Sequence, residues 1–379
     1  MTFLKNSIAV GVLLFLPLIG LQLAGLPLSP YLEFPPRTIH VESTGFSWIA
    51  FIALGAFTLA CIFPLLFQVF FGLPRPQPVE GEEIGSVGPQ RQTENPPTSS
   101  RPFPWWGWMG LLLSAIAWVL AWNRFSWFAA FQPHTFTPLW LGYIFVVNAL
   151  THRRSGRCML LDRPGIFFLL FANSAGFWWF FEYLNRFAGN WYYLGVQSFS
   201  PLEYFLHATI CFSTVLPAVA GTFEWLQTFP FLQARLRHGP RWTVSVNRPV
   251  AIFILTVVLL AFLGIGVYPH FLFPLLWVGP PILVIVFQSL NGRRHLLSDL
   301  EEGDWRFVGS AMLAGLMCGF FWELWNFYSA AKWIYAVPYV HRFQIFEMPI
   351  LGYAGYLPFG LLCVAVAKCL LPPTGCAAK

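Results

Sequence analysis

The feature that most narrows what this chain can become is a succession of apolar runs, each near the length of a bilayer crossing. Eight follow one another at roughly 106–124, 136–151, 164–184, 202–226, 249–267, 272–290, 307–328 and 346–371. About 20 apolar residues in a helix cross the hydrocarbon core. A helix also satisfies its own backbone hydrogen bonds there, which an open strand cannot do. Two further runs precede these, at 7–28 and 46–72. The first is too long for the apolar part of a leader and has no convincing cleavage site, so it reads as a membrane helix. Composition points the same way: 57% of the 379 residues are hydrophobic and only 10% are charged, which excludes an ordinary soluble domain. The expected fold class is all-α, a polytopic transmembrane helix bundle of about ten helices.

Between the second and third runs the chain changes character. Glu80, Glu82 and Glu83 and the run Asn95-Pro96-Pro97-Thr98-Ser99-Ser100 mark a hydrophilic, flexible linker. The eight later helices divide into two sets of four with landmarks in the same order. Pro133-His134-Thr135-Phe136-Thr137-Pro138 corresponds to Pro269-His270-Phe271-Leu272-Phe273-Pro274. Each is followed by a helix ending in an Arg pair, Arg153-Arg154 and Arg293-Arg294, and then by a helix carrying Glu-x-x-Asn. The expected organisation is two N-terminal helices (1–72), a linker (73–104), two tandem four-helix repeats (105–235 and 236–371) and a tail (372–379). An even number of helices per unit makes the copies parallel, related by an axis along the membrane normal.

The net charge is +6, and the position of the charge matters more than its size. With the N-terminus inside, inner segments hold 17 Lys and Arg and outer segments hold 5. Positive residues favour the cytoplasmic side, so both termini are expected in the cytoplasm, as in a bacterial inner (plasma) membrane. A basic balance of this kind reflects anionic lipid, and no nucleic-acid partner is expected.

Inside the apolar runs stand two costly groups, Glu182 and Glu323, each followed three residues later by an amide, Asn185 and Asn326. Glu-x-x-Asn places both polar groups on one helical face. A carboxyl at membrane depth calls for a partner or a task. Glu182 has Arg186 one turn on, in the favourable order for an ion pair; Glu323 has Phe327 there, and its nearest base is Lys332. The amides suit free backbone groups where a helix ends, or they orient the neighbouring carboxyl. Glu203 and His207 lie one turn apart on the next helix, either as a proton relay or as a satisfied polar pair, and Glu347 stands at the comparable start of the last helix. His134 and His270, at matched helix starts, need no special role. The Gly315-Leu316-Met317-Cys318-Gly319 spacing lets helices approach closely.

Other chemistries lack their residues. Seven scattered Cys contain no C-x-x-C, the His residues suit neither bis-imidazole haem nor a di-iron site, and the Asp residues form no diphosphate–magnesium motif. No Gly-rich phosphate loop occurs. Neither a cofactor nor a metal is expected.

One combination of residues points to a family. It runs from Glu182-Tyr183-Leu184-Asn185 through Gly189-Asn190-Trp191 to Pro201-Leu202-Glu203-Tyr204-Phe205, and again from Glu323 through Trp333 to Phe346-Glu347-Met348-Pro349. This order resembles the membrane-integral lycopene cyclase family of carotenoid biosynthesis, over about 106–370. The family's Pro-x-Glu-Glu carries a single Glu here, followed by Tyr204, and the second copy has its Glu ahead of the Pro. The resemblance implies an isomerase or lyase that cyclises, isomerises or hydrates an isoprenoid by proton chemistry. Membrane-embedded Glu323 and Glu182 would serve as acid and base, with Asn326, Asn185, Glu203, His207 and Glu347 in support. Eighteen Trp and 41 Phe would supply aromatic faces for a carbocation. The competing expectation is a non-enzymatic membrane protein: a carrier of lipids or small molecules, or an accessory subunit among partner membrane proteins.

Overall fold

The structure is a computed structural model and describes residues 2–36, 41, 44–72 and 101–370. It is mostly helical. The main helices are α1 (Thr2–Leu23), α2 (Trp48–Phe71), α3 (Trp105–Trp122), α4 (Phe136–Ser155), α5 (Pro164–Ala188), α6 (Pro201–Phe212), α7 (Val215–Gln227), α8 (Arg248–Gly264), α9 (Leu275–Leu290), α10 (Arg306–Phe327) and α11 (Tyr356–Cys369). Six stretches among the described residues are long and apolar enough to cross a membrane: α2, α3, α5, α6 with α7, α10, and the segment Ile350–Cys369. Arg248–Gly264 and Leu275–Leu290 are apolar but shorter. Large apolar side chains face outward, Ile49 at 84% and Trp105 at 73% exposure, as lipid contact requires. These features are those of an integral membrane protein. Of the expected linker, 73–100 lies outside the described residues, as does the tail.

Helices pack in a recurring way. α3 lies on α4, α4 on α7, and α5 on α6 and α7; likewise α8 lies on α9, α9 on α11, and α10 on α11. α10 also packs against α7, joining the two groups through a core that includes Leu216, Val219, Ala314 and Cys318. At the α10–α11 crossing, a Cβ on Gly315 would collide with the Tyr356 carbonyl and the Gly360 backbone, so the G-x-x-x-G spacing does bring two backbones together.

The structure departs from the sequence expectations in three places. The chain is not purely α-helical: β1 (Trp191–Leu194) and β2 (Lys332–Tyr335) form an antiparallel ribbon, and β3 (Gln344–Ile345) and β4 (Met348–Pro349) form a second. The run at 202–226 breaks at Ser213–Thr214. Pro217 has no N–H for the Ser213 carbonyl four residues back, and Thr214 and Ser213 turn their hydroxyls onto the carbonyls of Cys211 (2.8 Å) and Ile210 (2.7 Å). Ser174 of α5 bridges the gap, donating to the Phe212 carbonyl at 2.6 Å and accepting from the Leu216 N–H at 3.0 Å. Finally, the last helix begins at Tyr356 and not near 346, because β4 and a 3₁₀ turn, Ile350–Gly355, come first.

Candidate active site

β1 follows α5 and β2 follows α10, so the ribbon joins the segments directly after the two Glu-x-x-Asn motifs. Its register pairs Trp191 with Tyr335 and Tyr193 with Trp333. Side chains alternate along a strand, so these four rings share one face, and all four line one cavity. The asparagines hold this arrangement. Asn185 donates from Nδ2 to the Trp191 carbonyl at 2.7 Å, and its Oδ1 accepts from the Asn190 and Trp191 N–H groups at 2.8 and 3.3 Å. Asn326 donates to the Trp333 carbonyl at 2.8 Å and accepts from the Trp333 N–H at 2.9 Å. Each amide thus clamps the strand that follows its own helix.

Both carboxyls are buried, Glu182 at 1% and Glu323 at 0% exposure, and both are held by aromatic donors. Glu182 Oε1 accepts from Trp178 Nε1 (2.9 Å), Trp191 Nε1 (3.1 Å) and the Tyr193 hydroxyl (2.5 Å). Glu323 Oε1 accepts from the Tyr335 hydroxyl (2.7 Å) and the Tyr356 hydroxyl (2.5 Å), while Trp333 Nε1 donates to Tyr335 Oη at 2.8 Å. In each carboxyl the other oxygen, Oε2, is buried without a hydrogen-bond partner, which leaves a position for a proton. Burial pushes the Tyr193 and Tyr335 hydroxyls well above the ordinary phenol range, so both remain protonated donors.

The cavity lies beneath the ribbon and has a volume of about 100 Å³. Trp178, Trp191, Trp277, Trp322 and Trp333 wall it, and Tyr193, Tyr335 and Tyr356 present their rings to it. Neither Glu182 nor Glu323 lines the space; each stands behind a phenol that does. Trp322 stacks on Tyr356 at 5.9 Å between ring centroids. Gly319, one turn before Glu323, leaves the room that the Tyr356 ring occupies.

Other candidates fall elsewhere. The ion pair expected between Glu182 and Arg186 does not form: the carboxyl turns to the ribbon, and Arg186 donates to the Pro35 carbonyl at 2.9 Å. Glu203 is exposed and forms no hydrogen bond or ion pair with His207. It closes a capping box with Ser200, its Oε2 accepting from the Ser200 N–H at 2.8 Å. His207 does line the cavity, with its Nδ1 3.0 Å from His134 Nδ1 and its Nε2 3.7 Å from Cys211 Sγ. His270 is exposed in the short helix Pro269–Leu272. Glu347 sits between β3 and β4, paired with Lys332 at 2.5 Å. Among the described residues, no group of three or more His, Cys, Asp and Glu is placed to hold a metal ion.

The phenol donors, Tyr193, Tyr335 and Tyr356, are not among the residues expected at the site from the sequence. A signal is present: Trp191-Tyr192-Tyr193 and Trp333-Ile334-Tyr335 repeat Trp-x-Tyr, six residues after Asn185 in one and seven after Asn326 in the other. Comparison of the chain with family models, with curated proteins and with solved structures finds no match.

Proposed function

We propose that the protein is an integral membrane enzyme that rearranges an isoprenoid polyene without net redox change, adding a proton at one carbon and removing one elsewhere. The observation that carries this reading is the linking of two buried carboxyls to one Trp-walled cavity through phenol hydroxyls. Such chemistry needs an acid at the alkene, π faces for the cation, little competing water and a base to finish. Glu323 is the better acid, because both of its donors are hydroxyls that can hand a proton on and take one back. An indole N–H, which supplies two of the three donors to Glu182, is a donor only.

In the reaction, Tyr335 or Tyr356 gives its hydroxyl proton to an alkene carbon and takes the proton of Glu323. The adjacent carbon becomes cationic and is closed upon by a second double bond of the same chain. A C–H proton then leaves to Tyr193, whose own proton passes to Glu182. One proton enters and one leaves, so cyclisation is an isomerisation; capture of the cation by water, with loss of a proton, gives hydration. Cation–π contact with the Trp faces contributes on the order of 1–2 kcal/mol each. No cofactor enters this chemistry.

The same reading takes 105–235 and 236–371 as two parallel copies of a four-helix unit after a two-helix N-terminal pair. The matched helix packing and the like ties from each Glu to a Tyr and from each Asn to a Trp support it. The Lys and Arg bias supports cytoplasmic termini in a bacterial inner membrane, with the cavity toward the outer face.

The test supplies acyclic polyenes to the protein in lipid nanodiscs prepared in heavy water. Cyclisation is expected to yield a product in which one deuterium replaces one hydrogen, and hydration one that has gained a hydroxyl and one carbon-bound deuterium. Glu323→Gln and Glu182→Gln variants that fold and turn over at the wild-type rate would overturn the assignment. The rival reading, a carrier or an accessory subunit, draws on α2, along which only Leu65 and Gln68 are buried. Stoichiometric co-purification with other membrane proteins, without bound lipid, would decide for it.

A further inference from the structure

Three of the phenols that line the cavity, Tyr193, Tyr335 and Tyr356, are committed to the two carboxyls, and the indole N–H groups around it only donate. His207 is different, because an imidazole has one nitrogen to accept a proton and another to release one. Its ring is on the cavity side of α6: Tyr204, His207, Ala208 and Cys211 all line the space, and spacings of three and four put them on one helical face. On that face its Nε2 lies 3.7 Å from Cys211 Sγ, which Thr137 Oγ1 approaches to 3.5 Å. Its other nitrogen, Nδ1, lies 3.0 Å from Nδ1 of His134, an exposed residue at the end of the 3₁₀ turn Ser126–His134. Phe199 packs on both rings, with centroids 5.8 Å from His134 and 5.3 Å from His207. Among the described residues neither imidazole has an ion-pair partner that would fix it in the charged form. One ring of the pair thus meets the cavity and the other meets the surroundings of the protein.

We infer that His134 and His207 form the path by which protons pass between the cavity and the water at His134. A proton taken up at His134 Nε2 leaves that ring with both nitrogens protonated; the Nδ1 proton crosses to His207 Nδ1, and His207 releases its Nε2 proton into the cavity. Each ring gains one proton and gives one, and the hydrogen bond between them ends reversed. In that reversed state the pair is set for the opposite passage, from His207 Nε2 to His134 Nε2 and out. A passage inward therefore prepares one outward. The proposed reaction asks for this alternation, since each turnover leaves Glu323 short of a proton and Glu182 with one too many. Water admitted to the emptied cavity connects the pair to Tyr335 and Tyr193. That use rests on the proposed reaction, but the path itself does not.

The test moves the nanodisc-embedded protein into heavy water at mildly acidic pH and follows the C=O band of its buried carboxylic acids by infrared spectroscopy, with Glu182→Gln and Glu323→Gln to assign the band. His134→Ala is expected to slow the hydrogen–deuterium exchange of that band by at least about tenfold. Added imidazole, which fits the space left by the exposed ring, is expected to restore the rate in proportion to its concentration. A ring that only held the fold would not be replaced in this way. His207→Phe, which keeps a ring beside the cavity, is expected to exchange as slowly and to gain nothing from imidazole; should it not fold, His134→Ala and its rescue decide. Exchange as fast as in the wild type in either variant, or slow exchange in His134→Ala that imidazole leaves unchanged, overturns the inference. The lack of any protonated carboxyl band overturns it together with the acid and base roles. Slowed and rescued exchange without conversion of any polyene would sink the enzyme reading and leave the path standing; conversion with unaltered exchange in the variants would do the reverse.

Discussion

Glu182 and Glu323 stand at matched places on α5 and α10, yet they are surrounded differently. Both receive a Tyr hydroxyl from the strand that follows, Tyr193 in one and Tyr335 in the other. They differ in the remaining donors. At Glu182, Trp178 one turn earlier on the same helix supplies an indole N–H. At Glu323 the same helical position is Gly319, and the vacated space admits Tyr356 from α11, which supplies a hydroxyl instead. One local donor has been exchanged for a distant one, and a group that only donates for one that can relay. Two sites built from one pattern can in this way hold a carboxyl equally well and move protons unequally.

The largest expected effect separates the carboxyls directly. Glu323→Gln removes the acid and should lower turnover by about 10²–10⁴, with Glu182→Gln toward the lower end of that range; single-turnover assays on a polyene decide. If Glu182→Gln is the more damaging, the roles are reversed. Next come the clamps. Asn185→Leu and Asn326→Leu each leave buried backbone groups of the ribbon unpaired, and each should cost roughly 2–3 kcal/mol, read as a fall in unfolding temperature in detergent. The loss should be greater for Asn185, which makes three of these bonds against two for Asn326.

A smaller effect tests the relay. Tyr356→Phe and Trp178→Phe each remove one donor while keeping a ring, at about 1 kcal/mol of stability. Only Tyr356→Phe should slow turnover, by about tenfold or 1.4 kcal/mol. Equal slowing by both would mean that the donors merely hold their carboxyls. The smallest change is expected for Glu203→Gln, which weakens a capping box on an exposed helix start: a slight drop in unfolding temperature and unaltered turnover.

How much of this was legible from the sequence varies with the distance over which each feature is decided. The Glu-x-x-Asn pairs were visible because their spacing is a property of one helix, and the Gly315–Gly319 crossing was visible for the same reason. The Glu182–Arg186 ion pair was a fair local expectation that failed, since the side chain had better donors outside its helix. Glu203 and His207 share a helical face by spacing, but Glu203 is taken by Ser200 and His207 by His134. Glu347, expected at a helix start, lies between two short strands.

What the sequence alone determined is therefore the membrane-type helical architecture and the two places where a carboxyl must be accommodated, because both follow from the cost of polar groups in apolar runs. What only the tertiary structure decided is which groups accommodate them. Strands about 140 residues apart pair to form the ribbon, Tyr356 fills the space at Gly319, and Lys332 finds Glu347. A buried acceptor takes whichever donors packing brings within reach, and that choice is made between helices, where spacing along the chain carries no information.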